Sequence, residues 1–488
     1  MTSRSSRAVR DQLDHPVIDV DGHFVEMAPV LHEEIISTLE ELGGSSLRDR
    51  YLNGSVRPTD TSSILAGRTL AGVRDVWSAM PSWWGWPVEN VRDRATAHLP
   101  ALLYERLDEL GIDFAVLYPS MTLAFLEVAD PELSAALCRA TNRHHARVFA
   151  PYSRRMTPGA LIPMHSPDVA VTELRYAVEQ LGMRAAVIAA YARRPIPKLE
   201  REHGPLSPPV YRLDHFGIDS DYDYDPFWQA CVDLRVAPAV HSSVQYHDLS
   251  RSVSNYVYNH IDGIAKCHEA LAKSLVLGGV PHRFPELRIG FLEGGVAWAA
   301  MLYTGLLGHW EKRNGREIVK LDPARLDVDA LMKEVDRYGD DDVRRRRERV
   351  REWFAAPAAA PEQLDEFSRA GIERPEDLRD QFDRSFFMGC EADDPLICWA
   401  FASSVNPHGA RLHAMFGSDI SHWDVPDMTH PVAEAWEGVD EGRLTPDDFR
   451  DFVFANAVAM HAGANPRFFD DTVVEEAVAA ELARSRVS

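Results

Sequence analysis

Eight short, near-continuous apolar runs separated by helix-like stretches constrain this chain more than any other feature. They are Val17–Asp21, Phe114–Tyr118, Ala160–Pro163, Ala185–Ala190, Val236–His241, Arg288–Glu293, Ser385–Cys390 and Ala414–Asp419. Apolar character without alternation marks strands buried on both faces, as in a parallel sheet. Between the runs lie helical patterns, clearest in Asp168–Leu181, and Pro226 suits the first turn of a helix leading into the fifth run. Strands alternating with helices eight times predict an α/β fold, a (β/α)8 TIM barrel rather than an open doubly wound sheet. No G-x-G-x-x-G follows a strand, so dinucleotide binding lacks its fingerprint.

Two intervals are too long for plain barrel connections. Within a barrel over 17-431, insertions are expected at about 27-112, after strand one, and 299-384, after strand six. The first holds the Trp-rich stretch Val76–Pro87. The second is charged and helical, with a linker-like Ala355–Pro361. Its Arg344–Arg347 run, flanked by Asp340–Asp342, Glu348 and Glu352, reads as a salt-bridged helix face. Residues 432-488 are expected to form a C-terminal helical extension. Residues 1-16, basic but without the apolar stretch of a secretory signal, read as a disordered leader.

The 488 residues carry 52 Lys+Arg against 75 Asp+Glu, a formal charge of −23. Such acidity argues against nucleic acid or an anionic membrane as the main partner. No stretch approaches the length of apolar sequence a spanning helix requires. The five cysteines, Cys138, Cys231, Cys267, Cys390 and Cys398, are scattered and contain no C-x-x-C. Neither a disulfide framework nor a thiolate zinc site is expected, and a reducing, cytoplasmic compartment is the default.

In a barrel of this kind chemistry gathers at the C-terminal ends of the strands. Those ends read Asp19-Val20-Asp21-Gly22-His23 with Glu26 after the first run, and His241 after the fifth. Glu293-Gly294-Gly295 closes the sixth, and Gly417-Ser418-Asp419 with His422 closes the eighth. Taken singly, each has a plain alternative: a helix cap for Asp21 or Asp419, a hydrogen-bonded core histidine for His241. Together they point to a divalent metal, Zn, Mn or Fe, because one cation accounts for every buried polar residue at once.

These residues resemble the amidohydrolase superfamily, in its amidohydrolase-2 branch related to aminocarboxymuconate semialdehyde decarboxylase. The resemblance rests on D-x-D-G-H-x-x-E at Asp19–Glu26, FPELRIGFLEGGVAW at Phe284–Trp298 and GSDISHWD at Gly417–Asp424, and spans about Val17 to Pro431. Asn259-His260 and His309–Asn314 are similar to the branch as well. It implies metal ligands at Asp21, His23, His241 and Asp419. Decarboxylase-like members usually carry a histidine near the end of strand six, where this chain has Glu293. No lysine follows strand four, so a carbamylated-lysine bridge is not expected.

The expected activity is hydrolysis or decarboxylation of a bulky carbonyl or carboxylate substrate, through a metal-bound water or a metal-polarised substrate. Asp419, Glu293 or His260 would move the proton. In the alternative, Glu293, Glu26 and His260 complete a two-metal, carboxylate-rich site, and a pair of irons makes the enzyme a non-heme monooxygenase. A catalytically inactive barrel serving as a binding scaffold is the third reading. Trp77, Trp83, Trp84 and Trp86 either anchor the first insertion or, with His422, face a cyclic or apolar substrate. Arg193 and Arg194 are expected at the surface. A homo-oligomer follows from the family resemblance alone.

Overall fold

The computed structural model describes residues 4–54, 74–75, 77, 79–80, 89–204, 210–241, 251–355, 364–422 and 424–485. All eight apolar runs become barrel strands. In chain order these are β1 (Ile18–Phe24), β2 (Phe114–Pro119), β3 (Met156–Leu161), β4 (Ala185–Ile188), β7 (Pro238–Val240), β8 (Ile289–Phe291), β9 (Phe386–Glu391) and β10 (His413–Gly417). They pair in that order, each parallel to the next. Two backbone hydrogen bonds join the ends, from Asp419 N to Asp21 O (3.0 Å) and from His23 N to Ile420 O (2.9 Å). The result is a nearly closed (β/α)8 barrel whose seam lies among the residues singled out for chemistry.

β3 begins before its apolar run because Pro158 and Gly159 interrupt the sequence pattern without interrupting the strand. Gly159 is there for space: a Cβ would stand 2.6 Å from the Tyr118 ring. An antiparallel hairpin, β5 (Ala192–Pro195) with β6 (Tyr211–Asp214), stands outside the barrel sheet. Its arginines disguised it. Arg194, expected at the surface, is instead buried, bonding Asp214 (3.0 Å), His165 O (2.6 Å) and the Tyr224 hydroxyl (2.7 Å). Arg193 pairs with Glu127 (3.2 Å).

The leader is a further correction. Ser6–Arg10 is a helix capped by Ser5, with Val9 buried and Ser6 bonded through its N–H to Thr429 O (3.0 Å). One docked valine and one serine are too short a signal for periodicity to reveal. In the second insertion, Arg346 pairs with Asp342 (2.9 Å) and Arg347 with Asp336 (2.7 Å), the salt-bridged face its sequence predicts. The C-terminal helices close on the barrel: Met460 lies over Gly290, and Phe469 meets Phe114 at 5.3 Å. Among the described residues no helix is long and apolar enough to cross a membrane. All five cysteines are free.

At the start of β10, His413 donates to Asp383 Oδ1 (3.3 Å) and to Asn456 Oδ1 (3.0 Å) and stacks on Phe387. Burial alone would lower the His413 pKa, but Asp383 outweighs it and raises it above 6.5. The bond from His413 leads the forces that lower Asp383 below 3.8. A raised histidine gives stability that is full below its unfolded pKa and fades as pH rises through the folded one. The lowered aspartate gives stability that fades as pH falls below about 4. Asp383→Asn is therefore expected to lower Tm most between about pH 4 and 6.5, with the deficit shrinking by pH 8. The Asp383 side chain is 61% exposed, so screening holds the effect to about 1 kcal/mol. Melting curves across that range check it; a deficit that grows with pH would refute the assignment.

Candidate metal centre

The first strand supplies three buried polar side chains in five residues. Asp19, Asp21 and His23 are spaced two apart, the period that lines one face of a strand, and all three are buried; the register against β2 shifts between Asp19 and Gly22. Gly22 is required at the bend, since a Cβ there would stand 2.7 Å from Asp19 Oδ2 and 2.8 Å from Leu117. Asp19 accepts hydrogen bonds from Asp21 N (3.1 Å), Ser418 N (3.0 Å) and the Ser418 hydroxyl (2.5 Å). It thereby ties β1 to the end of β10. Burial pushes its pKa up to about 6, against those three bonds.

His241, at the end of β7, and His23 face one another, Nε2 to Nε2, at 3.2 Å. His23 Nε2 also stands 3.4 Å from Asp419 Oδ1 and 3.7 Å from Asp21 Oδ1. Glu293 Oε2, at the end of β8, reaches His241 Nε2 at 2.9 Å. Asp419 and Glu293 both occupy left-handed backbone, φ 49° and 57°, a strained conformation for such residues that occurs here at two strand ends carrying site carboxylates. Outward from Asp419, His422 Nδ1 lies 2.9 Å from its Oδ2 and 3.6 Å from Asp424 Oδ2, and His260 Nε2 is 3.7 Å from Asp424 Oδ2.

Two neighbouring triads, Asp21–His23–His241 and His23–Glu293–Asp419, each bring one ligand atom per residue within 4.8 Å of the others. Four ligands around one cation at about 2.1 Å stand about 3.4 Å apart. The observed 3.2–3.7 Å separations around His23 match that spacing. The electrostatics fit a cation as well. Burial, then the charges of Glu293 and Asp419, raise Asp21 well above the ordinary carboxylate range. Burial, opposed by His422 and reinforced by Glu293 and Asp424, takes Asp419 up to about 8. Glu391, buried among Asp419, Glu293 and Asp424, goes up to about 9. Burial also lowers His23. Glu293 is the site carboxylate held low: burial would raise it, but the bond to His241 and the charges of His241, His422 and His23 together outweigh that. Asp21 Oδ1, Glu293 Oε1 and Asp419 Oδ1 are buried and make no hydrogen bond among the described residues. Buried, mutually repelling carboxylates with orphaned oxygens need a positive charge to satisfy them.

Asp21, His23, His241, Glu293 and Asp419 therefore come together as the sequence predicts, with His260 and His422 at the margin. Glu26 does not. Its carboxylate is consumed by Met121 N (3.0 Å), Thr122 N (3.0 Å) and the Thr122 hydroxyl, so it is a fastening for the loop after β2 and not a ligand. Trp83, Trp84 and Trp86 lie outside the described residues; Trp77 is described and 58% exposed. Sequence reasoning gave no role to Asp424 and Glu391. Asp424 closes the GSDISHWD motif and was within reach of that reading. Glu391 closes β9, the same strand-end position that marks the other site carboxylates in the sequence.

Residues 18–370, well over half the chain, match the model of the amidohydrolase family. The chain belongs to that family. As a member it is a metal-dependent hydrolase or decarboxylase. An amidohydrolase from Mycobacterium avium subsp. paratuberculosis K-10 shares 15% identity with this amidohydrolase, covering 92% of this chain and 99% of that one at a TM-score of 0.51, which shows a common fold. A dihydroxybenzoic acid decarboxylase from Polaromonas sp. JS666, solved with manganese and 2-nitroresorcinol, is 16% identical over 92% and 97% of the chains at 0.47. A 5-carboxyvanillate decarboxylase from Sphingomonas paucimobilis is 15% identical over 91% and 98%, also at 0.47.

Proposed function

We propose that this amidohydrolase hydrolyses or decarboxylates a carbonyl or carboxylate substrate at the barrel mouth, with Asp21, His23, His241 and Asp419 as the residues that would hold one divalent cation. The observation that carries the reading is the convergence on His23 Nε2 of His241, Asp419 and Asp21 atoms at 3.2, 3.4 and 3.7 Å. A cation bound there supplies Lewis acidity to a substrate carbonyl or carboxylate oxygen.

The chain's own groups supply the rest. Asp419 divides its labour: Oδ1 faces His23, and Oδ2 is fixed by His422 at 2.9 Å. His422, Asp424 and His260 continue outward at 3.6 and 3.7 Å, a line of titratable groups along which a proton leaves or reaches Asp419. Glu293, in the position where decarboxylase-like relatives usually carry histidine, stands 2.9 Å from the same His241 Nε2 that faces His23, beside the cation, where its carboxylate can act as a general base or a further ligand. A bulky, cyclic or apolar substrate is the preference that Trp83, Trp84 and Trp86 suggest from their place in the chain.

One observation favours a second reading with two cations. His260, Glu293 and Asp424 offer a further set of ligand atoms within 4.8 Å of one another, with Glu293 common to both groups. Elemental analysis of protein purified without added metal, alongside anaerobic iron reconstitution, is expected to give about one zinc or manganese per chain. Two irons, with a spectrum that changes on exposure to oxygen, would move the enzyme to monooxygenase chemistry. Protein that holds no metal under either condition overturns both readings and leaves the barrel a scaffold.

A further inference from the structure

The face of the barrel opposite the mouth carries a group of arginines that the proposed chemistry does not use. Three consecutive barrel strands are each entered past an arginine: Arg235 before β7, Arg288 immediately before β8 and Arg384 before β9. All three line one cavity of about 510 Å³, together with Glu286, Gly463 and Pro466. In a chain of net charge −23, most arginines find a carboxylate, yet among the described residues none of these three makes a salt bridge.

What they do make is sparse. Arg288 Nη1 donates to Gly463 O (2.9 Å) and Arg384 Nη2 to Pro281 O (3.3 Å), one N–H each of the five a guanidinium carries. Arg384 Nε is buried and makes no hydrogen bond among the described residues. Arg288 is lowered, first by burial and then by repulsion from Arg384, with Glu286 opposing. Asp383, which also feels the charge of Arg384, is engaged on its other side by His413. Room for this crowding is built in, for a Cβ on Gly463 would stand 2.8 Å from Arg288 Cζ. Each bond reaches a carbonyl near a helix end, Gly463 in Asn456–Ala464 and Pro281 in Val280–Arg283, so capping explains one N–H of each arginine. Capping does not explain why two guanidinium groups that repel one another line one cavity with donors left over.

We propose that this basal cavity binds a small oxyanion, phosphate or carboxylate, between the guanidinium groups of Arg288 and Arg384, with Arg235 at its rim. Planar guanidinium donors suit either group, because both present paired oxygens at matching spacing. The site is separate from the proposed metal centre and does not depend on it.

The test is thermal melting of the full-length, metal-loaded protein at low ionic strength, with inorganic phosphate, with succinate, and with sodium chloride at matched ionic strength. Phosphate or succinate is expected to raise Tm by on the order of 3 °C beyond chloride. A rise with phosphate alone assigns the site to phosphate; a rise with succinate alone assigns it to carboxylates. Arg384→Gln and Arg288→Gln are expected to abolish the rise. In buffer free of such anions, Arg384→Gln is expected to melt no lower than wild type, because it relieves repulsion that no ligand is then offsetting. The rim variant Arg235→Gln, on an exposed residue, is expected to reduce the rise without removing it. No rise beyond chloride, or a rise that survives in both Arg288→Gln and Arg384→Gln because the anion binds elsewhere, overturns the proposal.

Discussion

Replacing His241 with alanine is expected to strip the enzyme of its cation and to lower kcat/KM on the order of a thousandfold, about 4 kcal/mol of transition-state stabilisation. His241 Nε2 is one of the atoms nearest to His23 Nε2, at 3.2 Å, and it is the partner that holds Glu293 at 2.9 Å. Without the imidazole, Glu293 has lost the bond that keeps it ionised, in a pocket where Asp21 and Asp419 already repel it. The vacated volume then favours water and a protonated carboxyl, and one of the four ligands is gone. Asp419→Asn is expected to match the loss of activity with a milder loss of metal, since an amide oxygen ligates weakly and its nitrogen is turned against either His23 or His422. Metal content by elemental analysis, read beside a melting curve, separates a broken site from a broken fold. A fully metallated and active His241→Ala enzyme would falsify the ligand assignment.

The barrel was legible because its strands are buried on both faces, and burial on both faces leaves an unbroken apolar record in the sequence. The same logic explains the failures. Hairpin β5–β6 is strand held by charge: Arg194 lies in a buried pair with Asp214, so its sequence reads as surface. The cluster proposed to hold the cation is visible in the sequence because strand ends are where a barrel places chemistry, and Asp21, His23, His241 and Asp419 stand at those ends. Glu26 shares that position in the sequence and was misread. Nothing in one chain reveals that two backbone N–H groups and a hydroxyl at Met121–Thr122 would claim its carboxylate first. Asp19 was visible within its motif, but its task depends on Ser418, 399 residues away.

That distance makes Asp19 the residue whose loss should damage the fold and the site together. Asp19→Ala is expected to destabilise the protein by about 3–5 kcal/mol, because three buried donors, Asp21 N, Ser418 N and the Ser418 hydroxyl, lose one acceptor group at a stroke. The side chain is wholly buried, so water does not replace the bonds without opening the barrel. Ser418 precedes Asp419, and Asp21 follows two residues after Asp19, so the same bonds set the spacing of two ligands across the seam. Asp19→Asn keeps the volume, its oxygen still accepts from Asp21 N and Ser418 N, and its nitrogen donates to the Ser418 hydroxyl once that hydroxyl turns its proton away; about 1 kcal/mol of destabilisation is expected, with metal affinity reduced about 10-fold. Asp19→Glu offers no rescue, because one more methylene carries the carboxylate out of register with the three donors that the Asp19 length serves. Chemical denaturation with and without saturating metal distinguishes the two roles. If Asp19 only fastens the fold, the Asn variant that remains folded binds metal as tightly as wild type; if it also positions the ligands, affinity falls even in conditions where every molecule is folded.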